Sequence, residues 1–396
     1  MSKLGYLCGS PRVSTRPEAG EYGPYTHVIG TIDAFRSLGW EVEPYLVGDK
    51  VPSSWVGQSA AAFRKSHVSR LTSDAIRIGL NSLHMNRAWS RLGNQVTWVY
   101  ERFGAFQNFG RPFMKHGIPW ILEVNSLFSL EGQFEPEVRS VEMLGLARYL
   151  EFRAFHDCHV LVTSTEAMKK ILVSHYKLPV SKILVVPSAV DARRFDPNVS
   201  TVRVFKNFTI GYVGSLRPWQ GIDVLLYAMA QLGKDGLDCS LVVVGDGPTR
   251  DELQTLANRL GLAEQVYFKG AVRAADVPAW IAGIDIGYSG QVNTNILESM
   301  YFSPLKLYEY MAMAKPVIAS THEDSLRLVM PGKTGYLFQG GSVDDLTNAL
   351  RKAFRGREHL REIGLQARDL ILKGHTWQIR TENMIDEITD RLSSKI

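Results

Sequence analysis

The stretch Ser303-Pro304-Leu305-Lys306, followed by Glu309, holds the side chains best suited to chemistry. Ser is a good helix N-cap, and Pro suits a first helical position because its missing N–H would have no intrahelical partner anyway. That reading makes Ser303 the cap and Pro304 the first helical residue. The amides of Leu305 and Lys306, with Leu307 in the same turn, then sit at the positive end of a helix dipole, where phosphate is favoured. Lys306 adds a full charge. Glu309 lies five residues past Pro304, roughly 7.5 Å along a helix axis, about the separation of a diphosphate from the hydroxyls of its own ribose. One helix could therefore grip a nucleoside diphosphate at two points. A plain solvated glutamate is the alternative, but Leu305, Leu307, Tyr308, Met311 and Met313 leave little wet surface, and an uncompensated carboxylate among them is costly.

Two glycine-bearing turns could add to such a site. In YVGSLRPWQG, Gly214 and Gly221 flank a loop containing Arg217; in VVVGDGPTRDEL, Gly245 and Gly247 precede a helix for which Thr249 and Glu252 form a candidate capping box. Turns of this kind serve equally well as tight turns without a ligand.

These residues need a scaffold that delivers loops into helix starts, and the apolar patterning describes one. LGYLC, WEVEPYLVG, TWVYE, PWILEVN, HVLVTS and KILVVPS read as strands in the first half. FTIGYVGS, SLVVVGDGP, VYFKG, DIGYS and PVIAS read so in the second. Near-continuous apolar runs imply parallel sheets covered on both faces. Helices are predicted between them, among them about 60–92, 137–154 and 165–176. His27 to Leu38 is another, with Val28, Ile32 and Phe35 on one face. Such alternation predicts an α/β protein of two doubly wound, Rossmann-like domains. The boundaries expected are 1–195, 196–372 and a terminal helix, 373–396, that either closes the second domain or crosses back to the first.

The chain has 396 residues, 45% apolar, beyond the usual size of one undivided core. Cys8, Cys158 and Cys239 lie too far apart in sequence for a disulfide framework or a metal cluster. No signal-peptide pattern or long apolar run appears, which predicts a soluble, cytoplasmic protein. The net charge of +5 is concentrated in the first half, where residues 64–115 carry nine basic and two acidic side chains. That surplus could draw a phosphorylated ligand or an anionic membrane surface, or form only a solvated face. Nucleic acid is not expected, because the aromatics do not interleave with Lys and Arg.

The segments YVGSLRPWQGIDVLL, VVVGDGPTRDEL, VYFKGAV, SPLKLYEYMAMAKPVIAS and GKTGYLF together resemble the donor domain of the retaining glycosyltransferases of family 4, in a form with SPLK at the helix start. VVPSAVDARRF, WVYER, WILEVN and EAGEYGPYTHV extend the resemblance through the first half. It implies the GT-B architecture, two facing Rossmann-like domains with the terminal helix crossing back. It also implies metal-independent transfer of a sugar from a nucleotide diphosphate to a hydroxyl acceptor, with anomeric configuration retained. The acceptor would be a carbohydrate, a lipid-linked glycan or a small natural product. Attack on the face the phosphate leaves, with a donor phosphate oxygen taking the proton, needs no enzyme nucleophile.

By the same resemblance, Glu309 holds the ribose, and Tyr301 stands where the family has its other acidic residue, with Glu298 nearby. Ser215 and Gln220 stand where Arg and Lys usually bind diphosphate, leaving Arg217 and Lys306 to supply the charge. The backbone at Ala271, Val272 and Arg273 reads the base, and Gly20 or Gly23, in the loop from Glu18, approaches the phosphates. Asn125 replaces a histidine near the anomeric carbon, while His27, Glu101, Arg102 and Glu123 are candidates for the acceptor side or for buried structural bonding. Epimerisation of a nucleotide sugar and noncatalytic nucleotide-sugar binding are the alternatives.

Overall fold

The computed structural model describes residues 2–11, 13–16, 23–52, 56, 67–130, 141–292 and 303–394. It divides into two compact units: 1–187 with 377–396, and 188–376.

The first unit is built on six parallel strands, β1 (Lys3–Cys8), β2 (Glu41–Leu46), β3 (Trp98–Arg102), β4 (Trp120–Val124), β5 (Val160–Thr163) and β6 (Ile183–Val185), in the order β2-β1-β3-β4-β5-β6. Five consecutive residues of β4 are buried, as a strand covered on both faces requires. The helix Gly23–Ser37 lays Val28, Ile32 and Phe35 on one face of this sheet. Beside it the terminal helix Trp377–Ser393 contributes Met384 and Ile388 to the same apolar cluster. The terminal helix thus packs on the first Rossmann-like unit. Of the two early helices, His67–Leu92 agrees with the sequence reading as far as it is described, 57–66 lying outside the described residues, whereas the other runs over Leu144–Asp157, starting and ending later than expected, with 131–140 also outside.

The second unit has another six parallel strands, β7 (Phe208–Val213), β8 (Cys239–Val244), β9 (Val266–Gly270), β10 (Ile286–Ser289), β11 (Val317–Ser320) and β12 (Gly335–Phe338). Their order, β12-β11-β10-β7-β8-β9, is that of dinucleotide-binding folds, with the connections reversing direction between β7 and β10. Loops leaving the carboxyl ends of strands at such a reversal part from each other and open a crevice. The helix Leu305–Ala312, which follows β10, starts at that edge and buries Leu307, Tyr308, Tyr310 and Met311 completely.

Candidate functional site: the strand ends of the second sheet

The loops after β7, β8 and β9 are stitched together by their backbones. Gly214 N donates to Val244 O, Leu216 N to Asp246 O and Gly245 N to Gly270 O, each at 2.9 Å. Gly214 and Gly245 both hold positive φ, +149° and +135°. A Cβ on Gly245 would lie 1.9 Å from the Gly214 carbonyl oxygen, and one on Gly247 2.1 Å from that of Leu216. The glycines are therefore required by the approach of one loop to the next, a reason internal to the protein. The predicted capping box does not form: Thr249 occupies the N-cap position of Arg250–Arg259 without a side-chain cap bond.

Lys306 enters this assembly from the first turn of Leu305–Ala312. It is 8% exposed; its Nζ donates to Gln220 Oε1, lies 3.4 Å from Tyr212 Oη and sits 4.6 Å from the centre of the Tyr212 ring. Its side chain also passes against Gly214, where an added Cβ would stand 3.3 Å from Lys306 Cε. Its bonded partners among the described residues are neutral, and burial lowers its pKa to about 7, Glu309 opposing. Gln220 Oε1 also accepts from Gln291 Nε2 at 3.3 Å, and Gln291 O from Ser320 Oγ at 2.7 Å. Glu309 is partly buried; burial raises its pKa to about 7 against the pull of Arg194 and Lys306. Gly214, Gln220, Lys306 and Glu309, proposed separately from sequence, thus gather about one helix turn. Tyr212 and Gln291 completed the arrangement unannounced, since a tyrosine inside a strand and a glutamine after one look like ordinary structural residues.

Other predicted residues are placed differently. The helix begins one residue later than expected, with Pro304 at the N-cap position (ψ 116°). Ser303 does not cap it; its Oγ donates to Asp324 Oδ2 and accepts from Ser188 N at 3.0 Å. The cause is a buried carboxylate, Asp324, that demands donors. Leu307 is fully buried, and its N donates to Pro304 O, so only Leu305 and Lys306 keep the first-turn amides for a ligand. Arg273 is exposed and paired with Asp276 at 2.8 and 2.9 Å, Val272 packs against the core, and Ala271 is exposed. Arg217 is exposed over the Trp219 ring, and Ser215, also exposed, offers its carbonyl to Tyr212. Gly23 begins a helix with open space around it. Glu18, Gly20, Glu298 and Tyr301 lie outside the described residues.

In the first unit, Glu123 is the centre of a buried cluster. It pairs with His27 Nε2, accepts from Asn125 Nδ2 at 2.8 Å and lies 3.6 Å from Arg102 Nη1. Burial alone would raise its pKa, but His27, Arg102 and Arg380 together hold it well below the usual carboxylate range. Burial lowers the pKa of His27 from its ordinary value, against the raising pull of Glu123. Because an ionised carboxylate only accepts, it fixes the Asn125 amide with nitrogen inward. Glu101 does not join this group: Arg102 and Glu123 are register partners, whereas Glu101 points to the other side of the pleat. There it accepts from Phe109 N at 2.9 Å and Gly110 N at 2.7 Å. Arg380, overlooked in the sequence, ties the terminal helix to Pro187 O at 2.9 Å.

Among the described residues no group of three or more His, Cys, Asp or Glu is placed to hold a metal ion, and no helix is long and apolar enough to cross a membrane.

Comparison with known proteins agrees with this geometry. Residues 207–355 match the family described as glycosyl transferases group 1. The chain is 25% identical over 260 residues to a GDP-mannose-dependent alpha-(1-6)-phosphatidylinositol monomannoside mannosyltransferase of Mycolicibacterium smegmatis, covering 64% of this chain and 68% of that protein. For the enzyme of the same name in Mycobacterium tuberculosis the match is also 25% identical, over 52% of this chain and 56% of that protein. In fold, sucrose-phosphate synthase from Thermosynechococcus elongatus superposes with a TM-score of 0.73 at 14% identity, over 100% of both chains. Anabaena HepE in complex with UDP superposes at 0.67 and 17% identity, over 98% of this chain and 100% of that one. The chain has the GT-B fold, and its second unit is related to the group 1 glycosyl transferases.

Proposed function

We propose that the protein is a retaining glycosyltransferase that moves a sugar from a nucleotide diphosphate to a hydroxyl of a carbohydrate, lipid-linked or small natural-product acceptor. The observation that carries this reading is Lys306, a buried amine at the start of Leu305–Ala312, bonded among the described residues to neutral groups alone beside the strand reversal. An amine so placed is short of negative charge, and a diphosphate supplies it. The amides of Leu305 and Lys306 add dipolar support, and Glu309 accepts from the ribose hydroxyls. As the glycosidic bond to phosphate breaks, charge grows on the leaving diphosphate, and a preorganised cation and helix start stabilise that charge most. Asn125, held by Glu123, has a carbonyl oxygen that can accept from a sugar hydroxyl and cannot act as a base at neutral pH. A phosphate oxygen of the donor is then the proton acceptor for front-face attack.

The matched relatives support this reading: a GDP-mannose-dependent mannosyltransferase in sequence, and a UDP complex in fold. The protein works in the cytoplasm on this reading, and the basic residues of its first half favour contact with an anionic membrane surface. A thermal-shift screen of UDP-, GDP- and dTDP-sugars and the bare nucleotides tests it. One full donor should stabilise the protein most, and the anomeric configuration of the product, read by NMR, should match the donor. An inverted product ends the retaining mechanism, and stabilisation by none of the nucleotides ends the donor site.

A further inference from the structure

The turn after β11 carries a polar group that the site described above does not use. His322 follows Ser320 and Thr321 and caps the short helix Glu323–Leu328. Its Nδ1 accepts from Ser325 N at 3.4 Å, while Ser325 Oγ accepts from His322 N at 2.9 Å. A neutral imidazole that accepts at Nδ1 carries its proton on Nε2. Burial, with the Lys306 charge adding to it, lowers the ring's pKa to about 4, so the neutral tautomer persists at ordinary pH. The residue is 8% exposed, and its Nε2 has no hydrogen-bond partner among the described residues. A buried N–H left without an acceptor is rare in folded proteins and calls for one.

The surroundings say which kind of acceptor. Ser325 Oγ donates to Ser320 O at 2.6 Å, and Ser320 Oγ donates to Gln291 O at 2.7 Å. Gln291 in turn donates to Gln220 Oε1, the same atom that takes Lys306. The His322 turn is thereby fastened to the Lys306 pocket, and the Lys306 charge is near enough to act on the ring. Asp324, the adjacent carboxylate, is engaged with Ser303 and Arg327. An orphaned donor beside a buried ammonium suits an anionic oxygen that has lone pairs to spare and no proton to give.

We propose that His322 is a further binding residue of the donor site, its Nε2–H donating to a phosphate oxygen of the nucleoside diphosphate. This rests on the donor-site reading given under Proposed function. Lys306 takes another oxygen of the same group, so the diphosphate is held from β11 as well as from the helix that follows β10.

His322→Asn separates the two tasks of this residue, since Asn is a good N-cap and can take Ser325 N while lacking the Nε2–H. Titration calorimetry with UDP, GDP and dTDP, and with uridine, guanosine and thymidine, gives the contribution of the diphosphate alone. The variant should lose roughly tenfold in affinity for the diphosphate that binds, a typical loss for a hydrogen bond to a charged group. Affinity for the parent nucleoside and the melting temperature should hold. In wild-type protein labelled with 15N-histidine, the buried Nε2–H resonance should move downfield on saturation with that diphosphate, a measurement independent of whether the variant folds. Lys306→Met serves as the control. If it abolishes diphosphate binding while His322→Asn binds as wild type and the resonance does not move, this inference is overturned and the donor site stands. If wild-type protein binds none of the three diphosphates, both are overturned.

Discussion

Diphosphate binding should draw a proton onto Lys306. In the ligand-free protein burial places that amine near pH 7 instead of its ordinary 10.5. A diphosphate beside it favours the charged form and returns the pKa toward the ordinary value. At pH 8.5 the free lysine is then about 97% neutral and the bound one charged, so binding takes up close to one proton. From pH 7.5 to 9.5 the dissociation constant should rise on the order of fifty- to hundredfold, approaching tenfold per pH unit. Few other groups of the site titrate in that window. Burial raises Tyr212 and Tyr310 well above it, His322 lies near 4, and Glu309, near 7, is largely ionised by pH 8. Calorimetry at pH 8.5 in two buffers of different ionisation enthalpy counts the proton directly. Lys306→Met should bind more weakly at pH 7 and show no slope. A dissociation constant that stays flat between pH 7.5 and 9.5, or a slope that survives in Lys306→Met, refutes the assignment of Lys306 to the diphosphate.

Glu309→Gln should weaken nucleoside binding by roughly tenfold through loss of a charged acceptor, read by the same titrations; unchanged binding removes the ribose role. The ligand-free protein should lose stability as pH rises from 4.5 to 7, because native Glu309 keeps its proton after the unfolded chain has lost it. It should regain stability from 7 to 10.5, where the unfolded chain holds the Lys306 proton that the native state has shed; denaturant unfolding across pH detects this minimum, which the Lys306→Met, Glu309→Gln double variant should flatten. Gly245→Ala forces a Cβ against the Gly214 carbonyl at positive φ and should destabilise by more than the ~0.4–1 kcal/mol that an unstrained Gly→Ala replacement gains, seen as a lowered melting temperature. Glu101→Ala should cost about 1–3 kcal/mol for each of the two buried amides it strands while leaving nucleotide affinity unchanged.

Both sheets were legible because parallel strands buried on two faces write long apolar runs, and β8 and β11 are buried at every residue. Lys306 and Glu309 were legible because a charge inside an otherwise apolar helix needs a reason. What escaped notice depends on partners distant in the chain. Nothing near Ser303 signals that Asp324, twenty-one residues on, will claim its hydroxyl. Glu101 and Glu123 are both acidic residues near strand ends, and only the pairing register assigns them to opposite faces. The glycine turns were visible, but their cause, loops pressing on each other, appears only when β7 and β8 lie side by side.

The terminal helix shares the apolar cluster of the first unit through Met384 and Ile388, although all of 188–376 is translated before it. On the ribosome, therefore, the N-terminal sheet emerges early but waits with one greasy flank bare while its neighbour can already mature. Two covalent crossings result, and Val190 N bonds His375 O at 3.1 Å so that they run together. A nascent chain stalled before Trp377 should consequently be a client for chaperones, whereas a piece holding only 188–376 carries every strand of its own sheet.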